Sequence, residues 1–420
     1  MRHIDTIVIG AGHAGLALSR CLTDRGRDHV VLERGRPAER WRSERWDSLR
    51  LLTPNWMTRL PGWRYAGGDP DGYLTAAEVI GFLDLYRRSF DAPLHTATTV
   101  EGVERDADRF RVVTDQGAWT ADQVVVATGH CDRPQVPVMA ARLPASVHQT
   151  TPSSYRNPGA LPGGGVLVVG AAASGAQLAD ELARAGRPVV LAVGRHTRLP
   201  RRYRGLDIYW WLERLGVLDK TIEEMPHPEG ARREPSLQLV GRPDKADLDL
   251  AALQDVGVRL SGRVVGVDGS TVHLGADLAT TTTRADAGRR RLLAEIDRYI
   301  ETNRLSDEVF EPEPVRPVRL GAEPARLDLR SEGIATVVWA TGFRRAYPWL
   351  RVAVLDEAGE IRQRRGVTPV PGLYVLGLRF QHRRNSSFID GVRHDAEFIA
   401  DHIVARHRPR SGAPSSWVTS

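Results

Sequence analysis

The sequence contains little cysteine and little lysine. Cys21 and Cys131 are the only cysteines in 420 residues, and they form no CxxC pair. Their separation argues against a disulfide framework and against a dithiol relay. Lysine occurs only at Lys220 and Lys245, so nearly all of the 58 basic residues are arginine. Because these arginines are scattered, the net charge of +6 does not indicate a nucleic-acid partner.

Long apolar runs and metal-binding motifs are also missing. No stretch approaches the roughly 18 apolar residues of a membrane span. The start of the chain runs straight into the strand-like Ile7-Val8-Ile9, without a basic leader. We therefore expect a cytoplasmic protein with no membrane partner. The thirteen histidines form no HxxxH or HExxH arrangement, so no metal site is predicted.

The remaining composition is that of a globular protein. Hydrophobic residues make up 41% and charged residues 26% of the chain, which suits a protein that buries a core. A length of 420 residues favours two domains.

The chain opens with a strand, a helix and a second strand. Residues 4–9 are predicted to form a buried strand, 13–26 a helix and 29–33 a strand ending on Glu33. The turn before the helix reads Gly10-Ala11-Gly12-His13-Ala14-Gly15. Its glycines permit a tight turn, approach of the backbone to a pyrophosphate, and close packing of helix on strand. The helix N-terminus then faces the phosphates.

Glu33 limits the choice of dinucleotide. It lies where a carboxylate can accept hydrogen bonds from ribose hydroxyls, and its charge would repel a 2′-phosphate. FAD or NAD therefore fits this unit and NADP does not. A glycine-rich turn alone can be structural, so the assignment depends on turn, helix and acid together.

A second unit repeats this pattern, with strands at 166–169 and 189–193 and a helix that ends at 185. Its turn reads Gly170-Ala171-Ala172-Ala173-Ser174-Gly175, with Ala172 in place of the middle glycine. Arg195 follows twenty residues after Gly175, where an acid would indicate NAD. Further basic residues come next, at His196, Arg198, Arg201 and Arg202. Arginine binds phosphate well, so NADPH is preferred; the alternative is a solvated arginine cluster.

The other predicted elements are assigned from periodicity and turn residues. They are an irregular segment at 41–71, a helix at 75–90, short strands within 100–120, buried strands at 123–129 and 337–342, a helix at 283–302, a strand at 373–376 and a helix at 387–405.

Four motifs in this order resemble those of flavin-containing monooxygenases. They are residues 10–15, Ala127-Thr128-Gly129, residues 170–175 and Ala340-Thr341-Gly342-Phe343, with support from Trp41-Arg42. The resemblance implies an α/β fold of two Rossmann-like domains, with the NADPH domain inserted into the FAD domain. It implies an FAD-binding first part at 1–158, an NADPH domain at 159–338, a second FAD-binding part at 339–408 and a flexible tail at 409–420.

A closer resemblance is to bacterial flavin-dependent oxidoreductases linked to nitrilase-containing gene clusters. The segments that carry it are Arg45-Trp46-Asp47-Ser48, Thr53-Pro54-Asn55-Trp56, Tyr155-Arg156-Asn157-Pro158 and Arg365-Gly366-Val367. The family's linker fingerprint is degenerate, because Thr151 stands near the expected histidine and His148 lies three residues earlier.

The resemblance implies that FAD and NADPH are the cofactors, and it places the residues that bind them. These residues are Gly10, Gly12, His13, Ala14, Gly15, Glu33, Arg34, Trp41, Arg42, Trp46, Thr128, Gly129, Gly170, Ala172, Ser174, Gly175, Arg195, Arg201, Thr341, Gly342, Ile389, Asp390 and Gly391. Trp46, Asn55 and Trp56 would pass the flavin ring, Tyr209–Trp211 would form a roof, and 385–391 would reach the flavin's pyrimidine end. Asn55 is the favoured catalytic residue; alternatively, the aromatics belong to the core.

The activity that the resemblance implies is oxygenation of a small nitrogen- or sulfur-containing substrate by a C4a-hydroperoxyflavin formed from O2. One alternative is an NAD(P)H-dependent flavin oxidoreductase that passes electrons to O2, a quinone or a protein. Another is a flavin redox sensor without turnover. The partners expected are the substrate and O2, and a homodimer is possible.

Overall fold

The computed structural model describes residues 2–406, so the predicted tail at 409–420 lies outside the described residues. The helices are α1 (His13–Asp24), α2 (Glu39–Ser43), α3 (Ala76–Arg88), α4 (Ala173–Arg184), α5 (Ile208–Arg214), α6 (Pro228–Arg232), α7 (Leu250–Asp255), α8 (Leu278–Thr302) and α9 (Val392–Arg406). The strands are β1 (Arg2–Ile9), β2 (His29–Leu32), β3 (Arg59–Leu60), β4 (Trp63–Arg64), β5 (Leu94–His95), β6 (Val100–Asp106), β7 (Arg109–Thr114), β8 (Gly117–Val126), β9 (Arg133–Pro134), β10 (His148–Thr150), β11 (Gly165–Val169), β12 (Val189–Val193), β13 (Arg202–Tyr203), β14 (Leu206–Asp207), β15 (Arg259–Gly262), β16 (Val264–Asp268), β17 (Thr271–Leu274), β18 (Arg326–Asp328), β19 (Ile334–Trp339), β20 (Phe343–Arg344) and β21 (Leu373–Val375).

Two large sheets organise the described chain. The first has the order β5-β2-β1-β8-β7-β6, and β21 also pairs with β8. The second has the order β10-β19-β11-β12-β15, and all of its strand pairs are parallel. Since β21 returns to the first sheet after the second is complete, one unit is inserted into the other. This confirms the predicted α/β fold with two Rossmann-like units.

Successive apolar side chains along the strands pack into hydrophobic clusters on opposite faces of each sheet. Ile7 and Ile9 belong to one buried cluster of the first sheet, whereas Val8 between them belongs to the cluster that contains α1 and α9. In the second sheet, Val168 and Leu167 face opposite clusters in the same way. Successive strand side chains point to opposite faces, so a run of valine and isoleucine is what a two-sided sheet requires.

Several element limits differ from the predicted ones for local reasons. Helix α3 begins after Thr75, whose hydroxyl and backbone form a capping box with Glu78. Helix α8 begins at Leu278, five residues before the predicted start, although its first turns contain a run of threonine that disfavours helix. Helix α9 begins at Val392 rather than 387, because the preceding residues form turns and contact the second unit.

The boundary between the two units is less clear from sequence than the units themselves. Strand β10 precedes residue 158, yet it pairs with β19 in the second sheet. Strands β9 and β20 pair with each other where the chain crosses between the units. The domain limits therefore remain a prediction, with β10 on the side of the second unit. In the described part of the chain, no helix is long and apolar enough to cross a membrane.

Candidate cofactor sites and active site

The first glycine turn leaves open space at the N-terminus of α1. Gly10 adopts a φ of +107°, and a Cβ atom there would lie 2.7 Å from the Ala127 carbonyl oxygen. A Cβ at Gly15 would lie 1.9 Å from the Gly10 carbonyl oxygen, so only glycine fits. By contrast, a Cβ at Gly12 would have no atom within 4 Å. The turn is closed on its protein side and open where a pyrophosphate would approach.

Glu33 lies at the end of β2 and is tied to this turn. Its Oε2 accepts a hydrogen bond from the Ala11 amide at 2.7 Å, and its Oε1 accepts one from Gly35 at 3.0 Å. The side chain is buried. A carboxylate offers about four acceptor positions, so these two bonds orient Glu33 and leave capacity for ribose hydroxyls.

Two histidines lie beside the first turn in their neutral form. Burial lowers the pKa of His13 to about 4, and the nearby His130 adds to the effect. Burial and the positive charges of Arg379, Arg345 and Arg45 likewise lower the pKa of His130 to about 4. The His13 Nε2 is buried without a hydrogen-bond partner.

The second glycine turn has nearly the same backbone. Gly170 has a φ of +106°, and a Cβ at Gly175 would lie 1.8 Å from the Gly170 carbonyl oxygen. Ala172 adopts φ −74° and ψ −176°, compared with −78° and −177° at Gly12. The alanine is therefore unstrained and does not disturb the turn.

Two side chains from a later segment contact the second turn. The Ala173 amide donates to the Ser236 hydroxyl at 3.3 Å, and the Gln238 side-chain amide donates to the Ala171 carbonyl at 2.7 Å. The Gln238 Oε1 is fully buried and has no hydrogen-bond partner. Sequence reasoning missed Ser236 and Gln238, because they lie more than sixty residues after the turn they cover.

The arginines after β12 separate into an exposed and a buried group. Arg195 is exposed and makes no hydrogen bond or ion pair with any described residue. Arg198 is 1% exposed and pairs with Asp249 and Asp286 at 2.7 and 2.6 Å. The pairing explains why this arginine is tolerated inside the protein.

Arg201 belongs to the buried group. Its side chain is fully buried, pairs with Asp207 at 2.5 Å and donates to the Leu52 carbonyl. Its guanidinium also lies over the rings of Tyr73 and Tyr209. These contacts fix the loop of the first unit against the second, and the assignment of Arg201 to cofactor binding remains a prediction.

Trp46 lies in the core of the second unit. The indole is buried in the hydrophobic cluster of the second unit, together with Tyr155, Val166 and Val168. It is not part of the cluster that contains the first turn. Its place in the predicted flavin-binding set remains a prediction.

The other predicted residues near the first turn lie in contact with the first unit. Trp41 packs against its core, and the Arg45 guanidinium lies 5.3 Å from the Trp41 ring centre. Arg42 pairs with Asp84 of α3 at 2.6 Å, whereas Arg34 is exposed.

The two ATG segments adjoin the two turns. Thr128 and Gly129 follow β8 beside Gly10, and Thr341 and Gly342 follow β19 beside Gly170. Gly129 and Gly342 both have positive φ, which continues each strand end into a turn.

Residues predicted around the flavin ring meet in one apolar cluster. Met57 and Trp56 of the loop after α2, Tyr209 of α5 and Phe388 before α9 all belong to it. The ring centres of Tyr209 and Phe388 are 6.2 Å apart in an edge arrangement. Trp211 is fully buried in the same cluster, so the predicted roof also contributes to the core.

Asn55 directly precedes Trp56 in the same loop. It is 4% exposed, its Nδ2 donates to the Asp69 carbonyl at 2.9 Å, and its Oδ1 has no hydrogen-bond partner. Asn55 lines a cavity of about 440 Å³ together with Tyr65, Tyr73 and Lys245. Its role in catalysis remains a prediction.

The segment before α9 joins the two units. The Ile222 amide donates to the His382 carbonyl, and the Arg384 and Asn385 amides donate to residues 220 and 218. Arg59 pairs with Asp390 at 2.6 Å and with Glu213 of α5 at 2.7 Å. Sequence reasoning placed Asp390 near the flavin but missed Arg59, since its partners lie 331 and 154 positions away.

Both cysteines are free. Burial raises the pKa of the Cys21 thiol to about 12, and burial also raises the pKa of Cys131. Both thiols are therefore protonated at neutral pH and cannot act as a reactive dithiol. Among the described residues, His3, Asp5 and Asp122 form one group of possible metal ligands, but Asp5 pairs with Arg27 and Asp122 with Arg109.

Comparisons with known proteins agree with this geometry. The family model described as pyridine nucleotide-disulphide oxidoreductase matches residues 7–204. The CzcO-like oxidoreductase of Geobacillus kaustophilus is 33% identical over 408 residues, which are 96% of this chain and 99% of that protein. This chain belongs to the CzcO-like oxidoreductase family.

Other similar proteins extend beyond the CzcO-like family. Indole-3-pyruvate monooxygenase YUCCA1 of Oryza sativa subsp. japonica is 26% identical over 432 residues, covering 96% of this chain and 92% of that protein. The solved flavin-containing monooxygenase of Stenotrophomonas maltophilia has a TM-score of 0.67 and 20% identity, with 96% and 99% of the two chains covered. At that identity the solved structure supports the fold alone.

The CzcO-like family membership confirms the resemblance to flavin-containing monooxygenases. The chain is an enzyme that carries out flavin-dependent oxidoreduction with a nicotinamide cofactor. The link to nitrilase-containing clusters, the identities of both cofactors and a homodimeric state remain predictions.

Proposed function

We propose that this CzcO-like enzyme is an NADPH-dependent FAD monooxygenase acting on a small nucleophilic substrate. The observation that carries the proposal is that two turns of nearly equal backbone geometry end in opposite charges. Glu33 follows the first turn and is buried, whereas Arg195 follows the second and is exposed. A carboxylate suits ribose hydroxyls and an arginine suits a 2′-phosphate.

The residues of the first unit fit FAD. The open space at Gly12 and the helix N-terminus of α1 lie where the pyrophosphate of a dinucleotide would bind. Bound FAD would supply the redox chemistry, accepting hydride from NADPH and activating O2. The residues of the second unit fit NADPH, because Ala172 keeps the turn unstrained and Arg195 forms no hydrogen bond or ion pair with any residue that the structure describes.

The chain's own contribution is positioning and exclusion of water. The cluster of Met57, Tyr209 and Phe388 closes the space between the units with apolar side chains. The Arg59 pairs with Asp390 and Glu213 hold the N-terminal side of α9 against α5. Dry, fixed surroundings matter for oxygen transfer, since water promotes loss of peroxide instead.

A small organic substrate and O2 are the proposed co-reactants. The similar YUCCA1 protein is named for oxygenation of indole-3-pyruvate, which is a small organic acid. This similarity supports a small-molecule substrate for the present chain without assigning that compound to it.

The test is NADPH oxidation by the purified, FAD-loaded enzyme with a panel of small amines, sulfides and carbonyl compounds. Products are analysed by mass spectrometry after reaction under isotopically labelled O2. We expect at least one compound to gain a single labelled oxygen in step with NADPH consumption. A protein that takes up no flavin, or that never transfers label, contradicts the proposal.

A second candidate is an NAD(P)H oxidase or reductase. Thr151 favours it, because this threonine lies near the sequence position where flavin-containing monooxygenases have a histidine. Among the described residues, its hydroxyl forms side-chain hydrogen bonds only with Ser153 and Ser154. Hydrogen peroxide formed in equal amount to the NADPH consumed, with no effect of any panel compound, would favour this candidate.

A further inference from the structure

Two arginines from distant segments meet just beyond the end of β8. Arg45 follows α2 and Arg379 follows β21, and both side chains are half-buried. Burial and the positive charges of both arginines lower the pKa of His130, and both charges oppose the rise in pKa that burial causes at Cys131. The chain therefore brings two guanidiniums from separate parts of the first unit to one place.

This place adjoins the N-terminus of α1. Burial and the proximity of His130 lower the pKa of His13, which is the first residue of α1. Helix α2 also begins beside the glycine turn, since the Ala38 amide donates to the Ala11 carbonyl at 3.0 Å. A Cβ at Gly12 would have no atom within 4 Å, so the turn next to the arginines is open.

Arg45 has no counter-ion among the residues that the structure describes. One of its terminal nitrogens donates to the Glu44 carbonyl at 2.8 Å, whereas the Glu44 carboxylate pairs with Arg40 at 3.2 Å. The Nε and the other terminal nitrogen of Arg45 form no hydrogen bond with a described residue and are not buried. These two donors are therefore accessible to a ligand.

Arg379 likewise forms no ion pair within the described chain. One terminal nitrogen donates to the Glu234 carbonyl of the second unit, whereas the Glu234 carboxylate pairs with Arg384 at 2.6 Å. Its Nε and its other terminal nitrogen are accessible and form no hydrogen bond with a described residue. Burial lowers the pKa of both guanidiniums, of Arg379 and of Arg45, because the nearby acids do not make up for the lost hydration.

These observations select an anion beside the first glycine turn. The free nitrogens of each arginine can only donate, and the guanidinium fork matches the oxygens of a phosphate. In oxidised FAD the negative charges lie on the pyrophosphate, whereas the flavin ring and the adenosine are neutral. The amides at the start of a helix also bind phosphate, so the pyrophosphate is the part of FAD that suits this place.

We propose that Arg45 and Arg379 bind the pyrophosphate of FAD together with the N-terminus of α1. The inference rests on the proposed assignment of FAD to the first unit and adds two residues to that binding site. Because Arg379 also donates to the Glu234 carbonyl, the same side chain links the pyrophosphate to the second unit.

Fluorescence titration of the flavin-free protein with FAD tests the proposal. Arg45→Gln and Arg379→Gln should each weaken FAD binding by at least about 10-fold, because each removes charge-assisted hydrogen bonds. Arg45→Lys and Arg379→Lys keep the charge but not the fork, so their affinities should lie between those of the glutamine variants and the wild type. ADP carries both phosphates without the flavin. Its dissociation constant, obtained from displacement of FAD, should rise in the glutamine variants by a similar factor.

Arg187→Gln is the matched control. Arg187 is half-buried, forms no ion pair with a described residue and donates to the Gly164 carbonyl of the second unit at 2.7 Å. Its replacement should leave the affinities for FAD and ADP unchanged. Thermal unfolding separates binding from folding. The Tm of flavin-free Arg45→Gln should match that of the wild type, whereas the rise in Tm on adding FAD should shrink.

An unchanged affinity for FAD in either glutamine variant overturns the proposal. So does a loss of FAD affinity without a loss of ADP affinity, which would place the arginines at the flavin ring. A wild-type protein that takes up no FAD contradicts both this inference and the proposed function. A protein that binds FAD through both arginines but transfers no oxygen contradicts the proposed function alone.

Discussion

The two glycine turns have almost the same backbone but different surroundings. Gly10 and Gly170 differ by one degree in φ. A Cβ atom on the third glycine of either turn would lie less than 2 Å from the carbonyl oxygen of the first glycine. Beyond the turn, the first unit presents Glu33 and open space, whereas the second presents Arg195 and a cover of Ser236 and Gln238. We therefore propose that each turn provides a phosphate-binding backbone and that residues outside it determine which dinucleotide binds.

The largest expected effect comes from the third glycine of each turn. Gly15→Ala should abolish FAD binding and lower solubility, because the new methyl group would collide with the Gly10 carbonyl oxygen at 1.9 Å. Gly175→Ala, with a similar collision at 1.8 Å, should keep FAD but lose reduction by NADPH. Flavin absorbance and its loss on adding NADPH measure the two effects.

Glycines within helices are the control for this pair. A Cβ at Gly81 of α3 or Gly288 of α8 would meet no atom within 4 Å. Alanine at either position should preserve both cofactors and stabilise the helix by up to about 1 kcal/mol. If Gly15→Ala and Gly175→Ala lost the same cofactor, the assignment of FAD to the first turn and NADPH to the second would be wrong.

Next in size is the effect of the exposed arginine. Arg195→Ala should raise the KM for NADPH about 10- to 100-fold and leave that for NADH nearly unchanged, since only NADPH has a 2′-phosphate. Steady-state kinetics with both nucleotides give the ratio. Arg202→Ala is the matched control, because Arg202 is exposed and its guanidinium contacts only the Gly205 carbonyl. Equal effects on both nucleotides would rule out a phosphate contact.

The acid of the first unit should have a smaller effect. Glu33→Gln replaces one carboxylate oxygen by an NH2 group, which cannot accept a hydrogen bond from a backbone amide. The variant therefore loses one of the two hydrogen bonds that Glu33 accepts from the Ala11 and Gly35 amides. We expect FAD to bind about 5- to 30-fold more weakly, which corresponds to about 1–2 kcal/mol. Fluorescence titration of the apoprotein with FAD measures the change. An unaltered dissociation constant would show that Glu33 serves neither the turn nor the ribose.

The histidines beside the first turn predict an acid-sensitive stability. His13 and His130 have a pKa of about 4 in the folded protein, compared with 6.5 for the free side chain. Between these values the unfolded chain takes up protons that the folded chain does not, so stability falls as the pH falls from about 6.5 to 4. The raised pKa of Asp395, about 6, acts in the opposite direction.

Thermal unfolding across this pH range should therefore show a Tm that decreases by several degrees, and His130→Gln should flatten the slope. The double variant lacking both histidines should flatten it further. A slope that persists unchanged in the double variant would assign the acid sensitivity to other groups.

The smallest effect is expected at the middle position of the second turn. Ala172→Gly should change the KM for NADPH by less than about threefold, because Ala172 already has the backbone conformation of Gly12. A larger change would show that the alanine methyl group itself limits access of the pyrophosphate.

Local patterns in the sequence predicted the parts of the molecule that depend on local physics. The strand, turn and helix around Gly10 and Gly170 follow from glycine conformation and alternation of apolar residues, and both units were placed correctly. The start of α9 was misplaced, because interactions with residues 218–222 replace the first turn of the helix.

The candidate site was less predictable because its contacts join distant segments. Arg195 and Arg201 look alike in the sequence, yet one is exposed and the other is buried under Asp207 and two tyrosines. Trp46 packs in the core of the second unit with Tyr155 and the valines of β11, a contact that its own loop sequence does not indicate. The sequence around Arg201 and Trp46 does not indicate these contacts, since the contacting residues lie up to about 150 positions away.

The most direct test of the account is anaerobic reduction of the FAD-loaded protein by NADPH, followed in wild type and in Gly175→Ala. The account predicts rapid loss of flavin absorbance in the wild type, much slower loss with NADH, and none in the variant although it still holds FAD. Reduction of the variant at the wild-type rate would contradict the claim that the second turn delivers NADPH to a flavin held by the first.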